Sequence, residues 1–62
     1  MRTVDDRLEE VITLMNFRLY HEADAKLDAI YDEFTSDDLE MTEAQEELMF
    51  ELIDRLSTVL YG

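Results

Sequence analysis

Proline is absent from this chain of 62 residues, and its one glycine is the last residue, Gly62. Tight strand connections depend above all on glycine and proline at positions of special backbone geometry. A strand-and-turn architecture therefore has nothing to punctuate it here. Leu, Glu, Ala, Met and Arg, all good helix formers, fill 30 of the 62 positions. The expectation is an all-α chain broken by short polar turns.

The first helix begins after Thr3, which can cap it, with Asp6 at the reciprocal position of a capping box. Asp5 and Asp6 also complement the positive end of the helix dipole. Val4, Leu8, Val11, Met15 and Leu19, with Ile12 beside them, form one apolar stripe that ends between Phe17 and His21. A second stripe carries Tyr20, Ala23, Leu27, Ile30, Tyr31 and Phe34. On one ideal helix it is rotated by roughly 100° from the first. This phase jump places a break near Arg18–His21, and a single bent helix from Val4 to Phe34 is the alternative. Thr35 to Met41 reads as a turn, because Thr, Ser and Asp side chains bond their own backbone. Thr42 then caps a third helix, with Gln45 completing the capping box.

That third helix runs to about Leu60, and its apolar residues are Ala44, Leu48, Met49, Leu52, Ile53, Leu56, Val59 and Leu60. They span an arc of roughly 180°, wider than the ~100° stripe of an ordinary surface helix. Such a helix packs on both earlier helices, or on them and a second chain. A domain of this size buries only about 60% of its unfolded surface, and its core supplies ~3–5 kcal/mol. Without cysteine there is neither a disulfide nor a thiolate metal site to assist. Self-association is the remaining support. The expected fold is thus all-α: one domain over residues 1–62, a three-helix antiparallel unit made of a helical hairpin plus a longer C-terminal helix, within a homodimeric bundle.

The string Tyr20-His21-Glu22-Ala23-Asp24-Ala25-Lys26-Leu27-Asp28-Ala29-Ile30 resembles the second helix of a tetratricopeptide repeat. Tyr20, Glu22, Ala23, Leu27 and Ile30 carry the likeness, and the amphipathic segment before them corresponds to the first helix. The resemblance covers about residues 7–34. Val11 and Arg18 stand where the family often has glycine. What the resemblance implies is helix-hairpin packing and protein binding; it transfers no functional residue.

Seventeen acids against five Lys and Arg give a net charge of −12. This argues against direct contact with nucleic acid or anionic membranes, which need Lys and Arg to neutralise phosphates. It favours a basic protein partner, or a surface adapted to high salt. With 47% hydrophobic residues the chain is not a disordered acidic tail. No apolar run reaches the length of a membrane span, and the N-terminus (MRTVDDRLEE) lacks a signal peptide's apolar core. A soluble, cytoplasmic protein is expected.

Catalytic constellations are sparse. His21 is the one histidine, with Asp24 and Asp28 on successive turns, a set that could hold a metal or form an oriented base. A solvated His near a helix start is the more ordinary reading. From Asp32 onward a calcium loop fails, with Phe34 at its third position and no glycine at its sixth. No phosphate-binding glycine loop exists. Neither an enzyme nor a cofactor is expected.

Three features point to binding. On the third helix Phe50, Asp54, Ser57 and Tyr61 form a line among Glu46, Glu47 and Glu51, where an aromatic suits an interface. This line, with Leu52 and Leu56 from the wide apolar arc, is assigned to a partner or dimer interface. Phe17 lies off the first stripe and is expected to plug the hairpin corner, or else to join an exposed patch. The third feature is the acidity itself. Duplex DNA carries one charge per ~1.7 Å, so the length of a 20-residue helix, about 30 Å, holds about 18 charges. The function expected is a small regulatory or inhibitory protein acting through its helix faces; the alternative is a DNA mimic occupying a basic groove.

Overall fold

Residues 3–62 are described in the structure, a computed structural model. Helix α1 spans Val4–Asn16, α2 Tyr20–Thr35 and α3 Glu43–Tyr61. No strand occurs among the described residues. The phase jump marks a real break, so the hairpin helices are separate. At 1.5 Å per residue the 19 residues of α3 match the 28 Å longest dimension of the molecule. No helix among the described residues is long and apolar enough to cross a membrane.

Both expected capping boxes form. Thr3 Oγ1 accepts from the Asp6 amide at 3.1 Å, and Thr42 Oγ1 accepts from the Gln45 amide at 3.2 Å. In return the Thr42 amide donates to Gln45 Oε1 at 2.9 Å. Helix α2 has Leu19 as its N-cap residue and so no side-chain cap. Its direction is set instead by the way α1 stops.

Helices α1 and α2 end in the same manner. The Leu19 amide reaches back to the Leu14 carbonyl and the Arg18 amide to Met15, both at 2.9 Å. The Asp38 amide likewise reaches Glu33 at 2.9 Å and Asp37 reaches Phe34 at 3.3 Å. These paired bonds are Schellman closures, which require one residue in the left-handed region. Arg18, with φ 64°, and Asp37, with φ 62°, take that place. Glycine usually occupies it, since a Cβ there meets the following carbonyl oxygen.

Successive helices run antiparallel. Arg7 on α1 faces Glu33 on α2, and Glu10 faces Lys26. Helix α3 returns beside both, parallel to α1, as the 2.9 Å bond from Gln45 Nε2 to Asp5 Oδ1 shows. The core consists of Leu8, Val11, Ala23, Leu27, Ile30, Met49, Leu52 and Leu56, with no buried polar residue among the described residues. Leu39 and Met41 from the connecting segment 36–42 pack against it. The wide arc of α3 is therefore largely consumed within one chain. Its centre is core, Leu48, Ile53 and Leu60 are half-buried, and Ala44 and Val59 are left exposed.

Removing the left-handed arginine tests this geometry. The strain at Arg18 is about 1–2 kcal/mol, and glycine's freedom in the unfolded chain offsets about 0.4–1 kcal/mol of the gain. Arg18→Gly should raise stability by about 0.5–1 kcal/mol in urea unfolding. Asp37→Gly should gain less, because Asp tolerates this region better. An unchanged or lower midpoint for Arg18→Gly would contradict the closure described.

Candidate functional site

The topology sorts the charges. One half of the bundle contains α1 through Glu10, α2 from Asp28, the connecting segment and α3 through Leu52. The other contains Val11–Leu27 and Ile53–Gly62. Only Glu22, Asp24 and Asp54 of the seventeen acids lie in the second half, where Arg18, Lys26 and Arg55 balance them. The first half holds the other fourteen, against Arg7 as its one cation among the described residues. One half is thus neutral and the other carries essentially all of the molecule's charge.

Most cations are already engaged. Arg7 grips Glu33 with two hydrogen bonds of 3.2 and 2.6 Å, Lys26 lies 3.4 Å from Glu10 across mid-height, and Arg55 pairs with Glu51 on its own helix at 2.9 Å. The first two clip α1 to α2. The Arg7 guanidinium, chiefly by its hydrogen bonds, holds the Glu33 carboxyl below the usual carboxylate range.

Phe50, Asp54, Ser57 and Tyr61 all lie exposed along α3, as the sequence pattern implied. Tyr61 is 80% exposed and Phe50 49%. Phe50 does not stand alone among acids. The ring of Tyr31, 39% exposed at the edge of α2, meets it with centroids 6.4 Å apart at an interplanar angle of 75°. Such an edge-on pair contributes about 0.5–1.5 kcal/mol beyond burial. Beside it a notch of about 260 Å³ opens between α2 and α3, lined by Asp24, Leu27, Asp28, Tyr31, Phe50 and Ile53.

Other expected site residues fall elsewhere. Leu52 and Leu56 are core residues of the single chain and offer no surface for a partner; the helices α1 and α2 already cover their side of α3. Phe17 does not plug the corner. It is the C-cap residue of α1 and is 72% exposed, because the left-handed turn at Arg18 follows it and the corner closes through backbone bonds. It belongs to the exposed apolar surface of the neutral half, as do Leu19, Val59 and Tyr61. A cleft of about 400 Å³ also lies in this half, between α1 and α3, lined by Met15, Tyr20, Arg55 and Val59 among others. His21 is exposed, and no group of three His, Asp or Glu side chains among the described residues is placed to hold a metal.

Sequence reading missed the Tyr31–Phe50 pair, which had assigned Tyr31 to the core stripe. It also missed the charge division, whose signal was two acid-free stretches, residues 11–21 and 55–62. Comparison with known protein families, with curated proteins and with solved structures gives no match.

Acid titration tests the inter-helix clip. A carboxyl held low in the folded state contributes stability that is complete above its unfolded value, about 4.3, and is lost as pH falls through its folded value. Glu33→Gln should therefore be less stable than the native chain near neutral pH. The gap should close as pH falls well below the ordinary carboxylate range. A gap unchanged in acid would show that the ion pair is not its source.

Proposed function

We propose that this chain is a small acidic regulatory or inhibitory protein that acts by protein–protein interaction, with a basic protein as partner. The observation that supports this most directly is the division of charge. A half with fourteen acids and, among the described residues, Arg7 alone to oppose them is a liability for folding, through self-repulsion. The same half gives a basic partner long-range attraction and orientation. Its α2–α3 face, with Tyr31 and Phe50, supplies aromatic contact area of the kind enriched in interfaces. Self-association is assigned to the neutral half, where Phe17, Val59 and Tyr61 are exposed. Two copies joined there keep their acidic halves apart.

A second reading, the DNA mimic, is favoured by the same division. Half of the 28 Å long axis corresponds to a stretch of duplex holding only about 8 charges. The acidic half exceeds that density. On this reading the partner's basic surface is a nucleic-acid groove.

Capture of partners from the native host on immobilised protein tests both readings. The specific partner should be held at about 50 mM salt and largely released at about 200 mM. It should bind poorly to a variant with Asp37→Asn, Asp38→Asn, Glu40→Gln and Glu43→Gln. Displacement by duplex DNA would single out mimicry. A partner held equally at both salts and by the variant would overturn the proposal. Sedimentation of the same protein reports the dimer, which a folded monomer at micromolar concentration would exclude.

A further inference from the structure

We infer that the notch between α2 and α3 is a receptor for one arginine side chain, presented by a basic protein segment. This rests on the reading of a basic partner and adds the place where it is anchored. The notch has an apolar floor of Leu27, which is buried, and Ile53, which is half-buried. Its walls are the rings of Tyr31 and Phe50, each partly open to solvent. Its rim carries Asp24, half-buried, and Asp28, exposed, one helical turn apart on α2.

Charge complementarity selects the occupant. Among the described residues neither Asp24 nor Asp28 has an ion-pair or side-chain hydrogen-bond partner. Arg7 and Lys26 are held on the opposite side of α2, against Glu33 and Glu10. A volume of about 260 Å³ falls below the ~300–1,000 Å³ of small-molecule sites, so the notch suits one side chain rather than a free metabolite. A cation over an aromatic face is attracted by the ring quadrupole. A guanidinium adds what an ammonium lacks: a flat apolar surface for the rings and a fork of donors for carboxylates. The helical spacing of Asp24, Asp28 and Tyr31, on α2, with Phe50 from α3, places acids and rings around one opening. A core has no use for an aromatic pair left half outside.

The test is a titration of the full chain, followed residue by residue by NMR, with a short alanine-based peptide bearing one central arginine. A second peptide carries uncharged citrulline instead. Shifts should centre on Asp24–Tyr31 and Phe50–Asp54, and the citrulline peptide should bind about tenfold more weakly. Phe50→Leu and Asp28→Asn should each weaken arginine binding several-fold, while Asp37→Asn with Asp38→Asn, which removes more charge at a distance, changes it less than about twofold. Well-dispersed spectra of each variant confirm folding, and Tyr31→Leu serves where Phe50→Leu does not fold. Shifts spread over the whole acidic half, weakened most by the Asp37 and Asp38 changes, would overturn the notch yet leave a basic partner in place. Failure of the arginine peptide to bind also overturns the notch. Failure of the basic-partner reading shows separately, as salt-indifferent capture.

Discussion

Burial of eight apolar side chains where three helices meet is the interaction that everything else in this molecule depends on. Leu8 and Val11 from α1, Ala23, Leu27 and Ile30 from α2, and Met49, Leu52 and Leu56 from α3 close against one another with no polar atom among them. A core this small yields only a few kcal/mol of net stability. It has to hold against the repulsion of seventeen acids. Like charges about 10 Å apart in water repel by ~0.4 kcal/mol per pair, and a half with fourteen acids contains many such pairs. The two contributions are comparable in size, so the placement of each cation matters. Arg7 and Lys26 lie on the α1–α2 seam, where each joins two helices.

The chain tolerates that repulsion without relieving it. Arg18, one of its few cations, sits in the neutral half at a strained turn and forms no ion pair among the described residues. Arg55 pairs within its own helix. A sequence optimised for stability alone would move such cations toward the connecting segment, where Asp37, Asp38 and Glu40 stand together. The proposed binding role rests on uncompensated charge on one half, an open aromatic pair on that half's α2–α3 face and exposed apolar side chains on the other half. None of them is required by the core.

Local chemistry was the most legible part of the sequence. Thr3 with Asp6 and Thr42 with Gln45 announced two helix starts, because a capping box is satisfied within four residues. The phase jump between stripes announced the corner, since it depends only on spacing. What was hidden depends on residues distant in sequence or on backbone states that leave no compositional mark. Arg18 and Asp37 occupy positions where glycine would have been a signal. Phe17 looked like a corner plug because backbone hydrogen bonds, which close the corner instead, are invisible in side-chain patterns. Leu52 and Leu56 looked surplus to one chain until α1 and α2 were seen to share α3 between them. Tyr31 looked like core, for its partner Phe50 lies nineteen positions further along the chain. The charge division was written in two acid-free stretches, yet only the antiparallel path brings them to the same end.

The central claim is that the acids of one half serve recognition and oppose folding. Urea unfolding at neutral pH, at about 0.05 M and about 1 M NaCl, tests it most directly, because the Debye length falls to about 3 Å at the higher concentration. The native chain should gain about 1–2 kcal/mol on adding salt. The variant with Asp37, Asp38, Glu40 and Glu43 changed to their amides should begin more stable and gain less. Stability that falls with salt, or a variant less stable than the native chain, would show that these acids hold the fold together and would contradict the assignment of their charge to a partner.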